Sequence, residues 1–201
     1  LRALARGLET APAPVPLSRE RAKAPYRDAE MAAYLALADA QPTRARRERA
    51  NGLLSLGAGA GLTGVDLRAV RGTDVVARSG GVVVCVRAGR PRVVPVLDRY
   101  AERAARAAAW AGDDFIVGGV ELDRRNITTR LIASLSGGGD LPRLELPRLR
   151  ATWLAKVAEL IGLPTFIAAA GISCSQRLGD VVGRLVPGNE ADAVALLGGS
   201  C

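Results

Sequence analysis

The chain has 201 residues and is 49% hydrophobic but only 3% aromatic, so its core must be built mainly from Ala, Val, Leu and Ile. The net charge is +8, and Lys23 and Lys156 are the only lysines, so arginine carries the surplus. Arginine forms bidentate contacts with phosphate, and such a surplus favours an anionic partner, nucleic acid first and an acidic membrane surface second. Basic composition also occurs in ordinary proteins that have no such partner.

The composition also excludes several kinds of site. The chain has no histidine, which rules out Ser-His-Asp and Cys-His catalysis. Its cysteines, Cys85, Cys174 and Cys201, are widely spaced and form no CxxC pair, so no metal and no cofactor is expected. Free thiols are typical of a reducing cytosol, and no apolar run approaches the length of a membrane span. We therefore expect a cytoplasmic protein without a membrane partner.

The first 20 residues differ in composition from the rest. Residues 1–10 are predicted to form a short basic helix, and residues 11–18 are a stiff, Pro-rich linker. A boundary to an upstream domain would fall there, and the missing initiator methionine indicates a piece of a longer chain. We expect residues 1–20 to be an arm and residues 21–201 to form the main domain.

Two helices are predicted next. The first covers residues 27–40, where Met31 and Tyr34 share an apolar face, and Pro42 ends it. Thr43 has the side chain of an N-cap for the second helix. The first turn of that helix is a basic run that either contacts phosphate or forms a solvated face, namely Arg44, Arg46, Arg47 and Arg49.

The stretch Leu56–Val75 admits two interpretations. Gly59-x-Gly61-x-x-Gly64 formally matches the dinucleotide-binding fingerprint, which needs a strand before it and an acidic residue about 20 positions later. The preceding segment is helical, however, and residues 82–85 at that distance contain no acid. In the alternative interpretation, the glycines end one helix and allow a short second helix to pack closely.

Residues 75–97 have the pattern of an antiparallel meander of three Val-rich strands with Gly-centred turns. Pro95 marks the last strand as an edge strand. Further helices are predicted, the first with Trp110 inward, over residues 98–110, 124–135, 147–162, 164–170, 173–185 and 189–198. The predicted fold class is therefore α+β, a mostly helical domain with a small antiparallel three-stranded sheet.

Four strings, taken in order, resemble the catalytic domain of the tyrosine recombinases, the phage integrase family. Residues 61–75, which begin Gly-Leu-Thr-Gly-Val-Asp-Leu-Arg, are similar to the first box of that family. Residues 87–96, Arg-Ala-Gly-Arg-Pro-Arg-Val-Val-Pro-Val, resemble its Gly-Lys-Gly-x-Lys-x-Arg-x-Val-Pro-Leu hairpin. Residues 146–153, Leu-Pro-Arg-Leu-Arg-Ala-Thr-Trp, resemble the His-x-Leu-Arg-x-Thr-Phe box, and residues 169–173, Ala-Ala-Gly-Ile-Ser, the Leu-Gly-His-Ser box. The resemblance spans residues 25–185.

The resemblance implies which positions would carry the reaction. The family's two phosphate-holding arginines fall on Thr63, which cannot do this, and on Arg150, which can. The acidic residue of the first box falls on Asp66, and the proton-donating hairpin lysine on Arg87, which does not give up a proton near neutral pH. No tyrosine follows Tyr100, so the family's covalent intermediate cannot form in the usual way. The two histidines and the nucleophilic tyrosine of the family fall on Pro147, Ile172 and Val181.

The matches predict a chain that has kept the fold and lost the reaction. We expect a catalytically inactive, nucleoid-associated protein that binds double-stranded DNA and is regulatory or architectural in DNA recombination or integration. The residual family site would be Asp66, Arg87 and Arg150. The predicted DNA contacts are Arg44, Arg46, Arg47, Arg49, Arg87, Arg90, Arg92, Arg124, Arg125, Arg148 and Arg150.

Two alternative functions remain at this point. In one, the chain is a protein-interaction module that binds a second copy or a related recombinase through residues 189–201. In the other, more remote, it is an active strand-transfer enzyme whose nucleophile is supplied by a partner or is Ser173 or Ser175.

Overall fold

The computed structural model describes residues 23–121, 123–139 and 141–160; the predicted arm, residues 1–20, and the helices predicted after residue 162 lie outside them. Within these residues, three antiparallel strands lie between a first group of three helices and a second group of three. The elements are α1 (Asp28–Asp39), α2 (Arg44–Gly59), α3 (Gly64–Ala69), a 3-10 turn (Gly72–Asp74), β1 (Val75–Arg78), β2 (Gly81–Val86), β3 (Arg92–Pro95), α4 (Asp98–Ala111), α5 (Ile127–Ser134) and α6 (Leu146–Leu160). The predicted α+β fold class is confirmed.

Helix α2 is the centre of the domain. Every residue from Ala50 to Gly59 is buried, because α1, α4 and α6 pack around this helix. Small and apolar residues on all sides of a helix allow it to be surrounded in this way. The helix begins after Thr43, whose hydroxyl accepts a hydrogen bond from the Arg46 amide at 3.2 Å. The predicted N-cap is therefore confirmed.

The strands form a meander in the order β1-β2-β3. Val84 in the middle strand pairs with Val75 on one side and Val94 on the other, and its side chain is fully buried. The strand β3 is an edge strand, as Pro95 predicts, because proline cannot donate to a further strand. Residues 87–91 connect β2 to β3 and are called the hairpin turn below.

The glycines after α2 permit close packing and leave no room for a phosphate. A Cβ atom at Gly59 would lie 2.7 Å from the Cβ of Tyr100, and one at Gly61 would overlap the ring of Trp153. Gly61 also has a φ of 61°, in the left-handed region that favours glycine. The element before these glycines is helix α2, not the strand that a dinucleotide-binding fold needs. The dinucleotide interpretation is therefore wrong, and the close-packing interpretation is confirmed.

The structure corrects two local predictions. The helix predicted from residue 124 begins only at Ile127, because Asn126 is left-handed with a φ of 53° and the Arg124 side chain turns into the protein. Trp110, predicted to face the core, is only partly buried, and the guanidinium of Arg49 lies 5.7 Å from its ring centroid. In both cases an arginine packs where the sequence pattern predicts another arrangement.

Candidate nucleic-acid interface

Thr63 and Asp66 form a reciprocal cap at the start of α3. The Thr63 hydroxyl accepts a hydrogen bond from the Asp66 amide at 3.3 Å. The Asp66 carboxylate accepts one from the Thr63 amide at 2.9 Å and one from its hydroxyl at 2.8 Å. This pairing satisfies backbone amides that a helix start would otherwise leave open. The position that the resemblance assigns to a phosphate-holding arginine is thus a helix cap.

A buried ion pair joins this cap to the sheet. Arg92 lies on the inner face of β3, two residues before the buried Val94, and its side chain is 10% exposed. It donates to the two carboxylate oxygens of Asp66 at 2.9 and 3.4 Å, and to the carbonyl of Arg90 at 3.1 Å. Burial acts to raise the pKa of Asp66, but the hydrogen bonds from Arg92 and Thr63 outweigh it, and the pKa is lowered. Asp66 is therefore held as a carboxylate.

Arg150 reaches the same corner from helix α6. Its guanidinium donates a hydrogen bond to the carbonyl of Gly61, two residues before Thr63. Arg150 therefore contacts the backbone that leads into the cap of Thr63 and Asp66. Arg92 reaches this cap from the sheet, because its side chain points inward and meets Asp66.

Arg87 is held by a different aspartate. Its Nε donates to Asp74 Oδ1 at 2.6 Å, while Asp74 Oδ2 accepts from the Arg71 amide at 2.9 Å. The Asp74 side chain is only 4% exposed, whereas that of Arg87 is 78% exposed. The hydrogen bond from Arg87 to Asp74, with the charge of Asp74, raises the pKa of Arg87. Arg87 is therefore a fixed cation at the first position of the hairpin turn.

Two further predicted DNA contacts are used inside the protein, as Arg92 is. Arg124 donates to the carbonyl of Arg68 from Nε at 3.0 Å and from Nη2 at 2.6 Å, and its burial lowers its pKa. The guanidinium of Arg148 lies 3.8 Å from the centroid of the Tyr26 ring, and its side chain is 20% exposed. These three arginines tie segments of the domain together, so we leave them out of the proposed interface.

The other predicted contacts lie nearer the surface. Arg47 is partly buried and donates to the carbonyl of Gln41 at 2.9 Å, and Arg49 is partly buried against Trp110. Five predicted contacts are exposed, two on the first turn of α2 and three on loops: Arg44, Arg46, Arg87, Arg90 and Arg125. These five are the side chains best placed to meet a phosphate backbone.

The three tyrosines of the chain are structural. Tyr26, Tyr34 and Tyr100 are 4%, 3% and 1% exposed. The hydroxyls of Tyr26 and Tyr34 bond to the backbone of residues 142–145. Burial raises the pKa of Tyr34 and of Tyr100, which disfavours the phenolate that a nucleophile needs. Pro147 is exposed on the first turn of α6, and Ile172 and Val181 lie outside the described residues.

Asp74 is the site residue that the sequence interpretation overlooked. It stands three residues after Arg71, as Asp66 stands three after Thr63, and each carboxylate accepts from the amide at that earlier position. An acidic residue three positions after a helix cap is the sequence pattern of a capping box. This pattern predicts the cap, but it does not predict which arginine the carboxylate will bind.

Two kinds of feature are not found in the part of the chain that the structure describes. No group of three or more Cys, Asp or Glu side chains is arranged there to hold a metal ion. None of the helices described is both long and apolar enough to cross a membrane.

Comparison with solved structures shows which fold this is. The chain is similar to the crystal structure of XerA recombinase, with a TM-score of 0.59 and 15% identity over 88% of this chain and 65% of that one. It is also similar to the Tn1549 transposon integrase in complex with circular intermediate DNA, with a TM-score of 0.58 and 15% identity over 91% of this chain and 67% of that one. The chain has the tyrosine recombinase catalytic fold.

A third structure, the Tn1549 integrase with transposon right end DNA, agrees with this assignment. Its TM-score is 0.57, with 13% identity over 92% of this chain and 68% of that one. No protein-family model and no curated protein sequence matches the chain. The recombinase fold is thus evident from the arrangement of elements, whereas the sequence identity to these structures is only 13–15%.

Proposed function

We propose that the chain is a catalytically inactive, recombinase-like DNA-binding protein with a regulatory or architectural role in DNA recombination or integration. The observation that carries the proposal is the cap formed by Thr63 and Asp66. A helix cap stands where the resemblance implies a phosphate-holding arginine. Arg87, with its raised pKa, stands where the resemblance implies a proton donor.

The buried tyrosines support the absence of catalysis. A nucleophile has to reach the scissile phosphate, whereas the three tyrosine side chains are packed in the core. Ser173, Ser175 and residues 189–201, which carry the alternative functions, lie outside the described residues.

Charge and fold support DNA as the partner. The net charge is +8, and exposed arginines lie on the hairpin turn and on the first turn of α2. Arginine contacts to phosphate release counterions and provide affinity that does not depend on base sequence. The Tn1549 integrase structures of the same fold contain DNA. Such a protein would be found on the nucleoid.

A salt titration tests the proposed binding. The unmodified chain should bind mixed-sequence duplex DNA in a gel-shift assay at low salt, and its affinity should fall steeply as salt rises. Replacing both Arg87 and Arg90 with Gln should reduce the slope of log K against log salt by about 1.8, which corresponds to two phosphate contacts. If the chain binds no duplex at about 50 mM salt, the proposal is contradicted.

A matched control separates contact from net charge. Arg99 lies on α4, where it pairs with Asp28 at 2.5 Å, and belongs to none of the predicted DNA contacts. Arg103 also lies on α4, where it pairs with Asp39 at 2.6 Å. A double variant that carries both Arg99→Gln and Arg103→Gln removes the same total charge as the hairpin double variant. We expect that control to leave the salt slope nearly unchanged.

A further inference from the structure

Two buried aspartates hold the two ends of the hairpin turn. Asp66 binds Arg92, the residue that follows the turn, and Asp74 binds Arg87, the residue that opens it. The side chains of Asp66 and Asp74 are 5% and 4% exposed. Both aspartates belong to the segment between α2 and β1, so this one segment binds both ends of the turn.

The same carboxylates are themselves fixed by backbone amides. Asp66 accepts from the Thr63 amide at 2.9 Å, and Asp74 accepts from the Arg71 amide at 2.9 Å. Each aspartate therefore uses one contact to cap a short helical turn and another to bind an arginine. A carboxylate anchored in this way holds its partner in one direction, because the bonds to charged groups are strong and directional.

The turn itself is drawn into this arrangement. Arg92 also donates to the carbonyl of Arg90 at 3.1 Å, which fixes the backbone near the end of the turn. Arg87 uses its Nε for Asp74. Its side chain is 78% exposed. The Arg87 guanidinium is therefore bound to Asp74 on one side and exposed at the start of the hairpin turn.

We propose that Asp66 and Asp74 form a two-point clamp that presents the hairpin turn to the DNA backbone, with Asp74 as the positioning residue for Arg87. This inference rests on the proposed DNA binding. Asp74 contacts no DNA itself. It lowers the conformational freedom of Arg87, so that less entropy is lost when the guanidinium meets a phosphate.

The clamp and net charge predict opposite changes in DNA affinity when Asp74 is neutralised. Removing the negative charge of Asp74 makes the chain more basic, and electrostatics alone would then strengthen DNA binding. Under the clamp, the same change weakens binding, because Arg87 loses its orientation. An amide at this position offers one acceptor oxygen, so it cannot accept from the Arg71 amide and from Arg87 Nε on separate oxygens, as the carboxylate does.

The test compares Asp74→Asn with Asp114→Asn by gel shift and by fluorescence anisotropy over a range of salt. Asp114 is exposed and lies nearby, since its carbonyl accepts from the Gly72 amide, so this variant makes the same charge change without touching the clamp. We expect Asp74→Asn to bind duplex DNA about tenfold more weakly, the effect of one lost charge-assisted contact, with a salt slope lower by about 0.9. Asp114→Asn should bind as tightly as the unmodified chain or more tightly.

Further variants separate positioning from loss of folding. Asp74→Glu, which keeps the charge and two acceptor oxygens, should recover most of the affinity. In a background of Arg87→Gln, adding Asp74→Asn should cause no further loss. Hydrogen exchange of the hairpin-turn amides should rise in Asp74→Asn and stay unchanged in Asp114→Asn.

The outcomes distinguish failure of the clamp from failure of the proposed DNA binding. Tighter or equal binding by Asp74→Asn, with slow exchange in the turn, would overturn the clamp while leaving DNA binding intact. If the unmodified chain binds no duplex, the proposed function fails and any role of the clamp in binding fails with it. Equal exchange rates in the two Asn variants would then show that Asp74 does not order the turn either.

Discussion

The carboxylate of Asp66 meets donors on both of its oxygens. Thr63 supplies an amide and a hydroxyl, and Arg92 supplies two guanidinium nitrogens. A buried carboxylate in such a setting is stable only while its partners are present, because a buried charge without a partner is costly. Thr63, which stands where the resemblance implies an arginine, is part of this setting because it donates to the same carboxylate. Threonine caps the helix through its hydroxyl, which arginine cannot do.

Asp66→Asn should destabilise the domain by about 1–3 kcal/mol at neutral pH, because the amide cannot accept all four hydrogen bonds. Chemical denaturation of the variant and of Asp114→Asn would measure this. The Asp114→Asn control, at an exposed position, should change stability by less than about 0.5 kcal/mol.

The stabilising effect of Asp66 also has a defined pH window. The pKa of Asp66 in the folded chain is lowered from 3.8, so the unfolded state binds the proton more readily than the folded state. Its contribution is therefore full above pH 3.8 and is lost as the pH falls through the lowered pKa. Unfolding free energies measured from pH 6 to pH 2 should converge between the unmodified chain and Asp66→Asn at the acidic end. Curves that stay parallel throughout would show that Asp66 is not held as described.

At the scale of elements, the approach of α2 to α4 depends on Gly59. Tyr100 packs directly on this glycine, and the Gly59 carbonyl accepts from the Leu97 amide at 2.8 Å, which joins the end of the sheet to α2. Gly59 thus allows the backbone of α2 to contact the backbone of the junction between β3 and α4. The glycine run that resembles a cofactor loop is a packing device.

Gly59→Ala should destabilise the domain by about 1–3 kcal/mol, since the new methyl group would lie 2.7 Å from the Cβ of Tyr100, an atom that cannot move away without the helix. Gly64→Ala is the matched control. Its Cβ would come no nearer than 3.4 Å to the end of Leu146, and Gly64 lies in the first turn of α3. Thermal melts should show a large loss for the first variant and little change or a small gain for the second.

The order and type of the elements could be predicted from the sequence because they depend on local patterns. Valine runs and glycine turns indicate the meander, and the apolar spacing along α6 indicates a helix. The start of α5 could not be predicted in this way. Asn126 adopts a left-handed conformation, and Arg124 folds back to the carbonyl of Arg68. That contact spans 56 positions of the chain and leaves no trace in local spacing.

The candidate site could be predicted only in part, for the same reason. The resemblance implies a site formed by Asp66, Arg87 and Arg150. In the structure Asp66 binds Arg92. Arg150 binds the Gly61 carbonyl, and Arg87 binds Asp74. The composition shows that arginine is abundant but does not show which arginines turn inward. Arg92, Arg124 and Arg148 carry the same charge as the exposed ones, and only the three-dimensional packing separates the two groups.

At the scale of the whole molecule, the chain combines a recombinase catalytic fold with interior uses for many of the groups that such a fold employs. Acids cap helices and hold arginines, the tyrosines fill the core, and the glycines permit close packing. Among the described residues, the exposed arginines of the hairpin turn and of α2 are the features that we assign to a DNA partner. We therefore predict that the chain binds DNA without cleaving it.

One measurement tests this claim most directly. The chain is incubated with a pool of nicked duplexes of varied sequence, at a protein concentration that shifts all of the DNA in a native gel, and the sample is then run in denaturing detergent. The nick allows a short strand to diffuse away after cleavage, so an active recombinase is trapped as a covalent adduct. We predict that the native complex forms and that detergent releases all of the DNA, for the unmodified chain and also for Thr63→Arg. A detergent-resistant adduct from either protein would contradict the account.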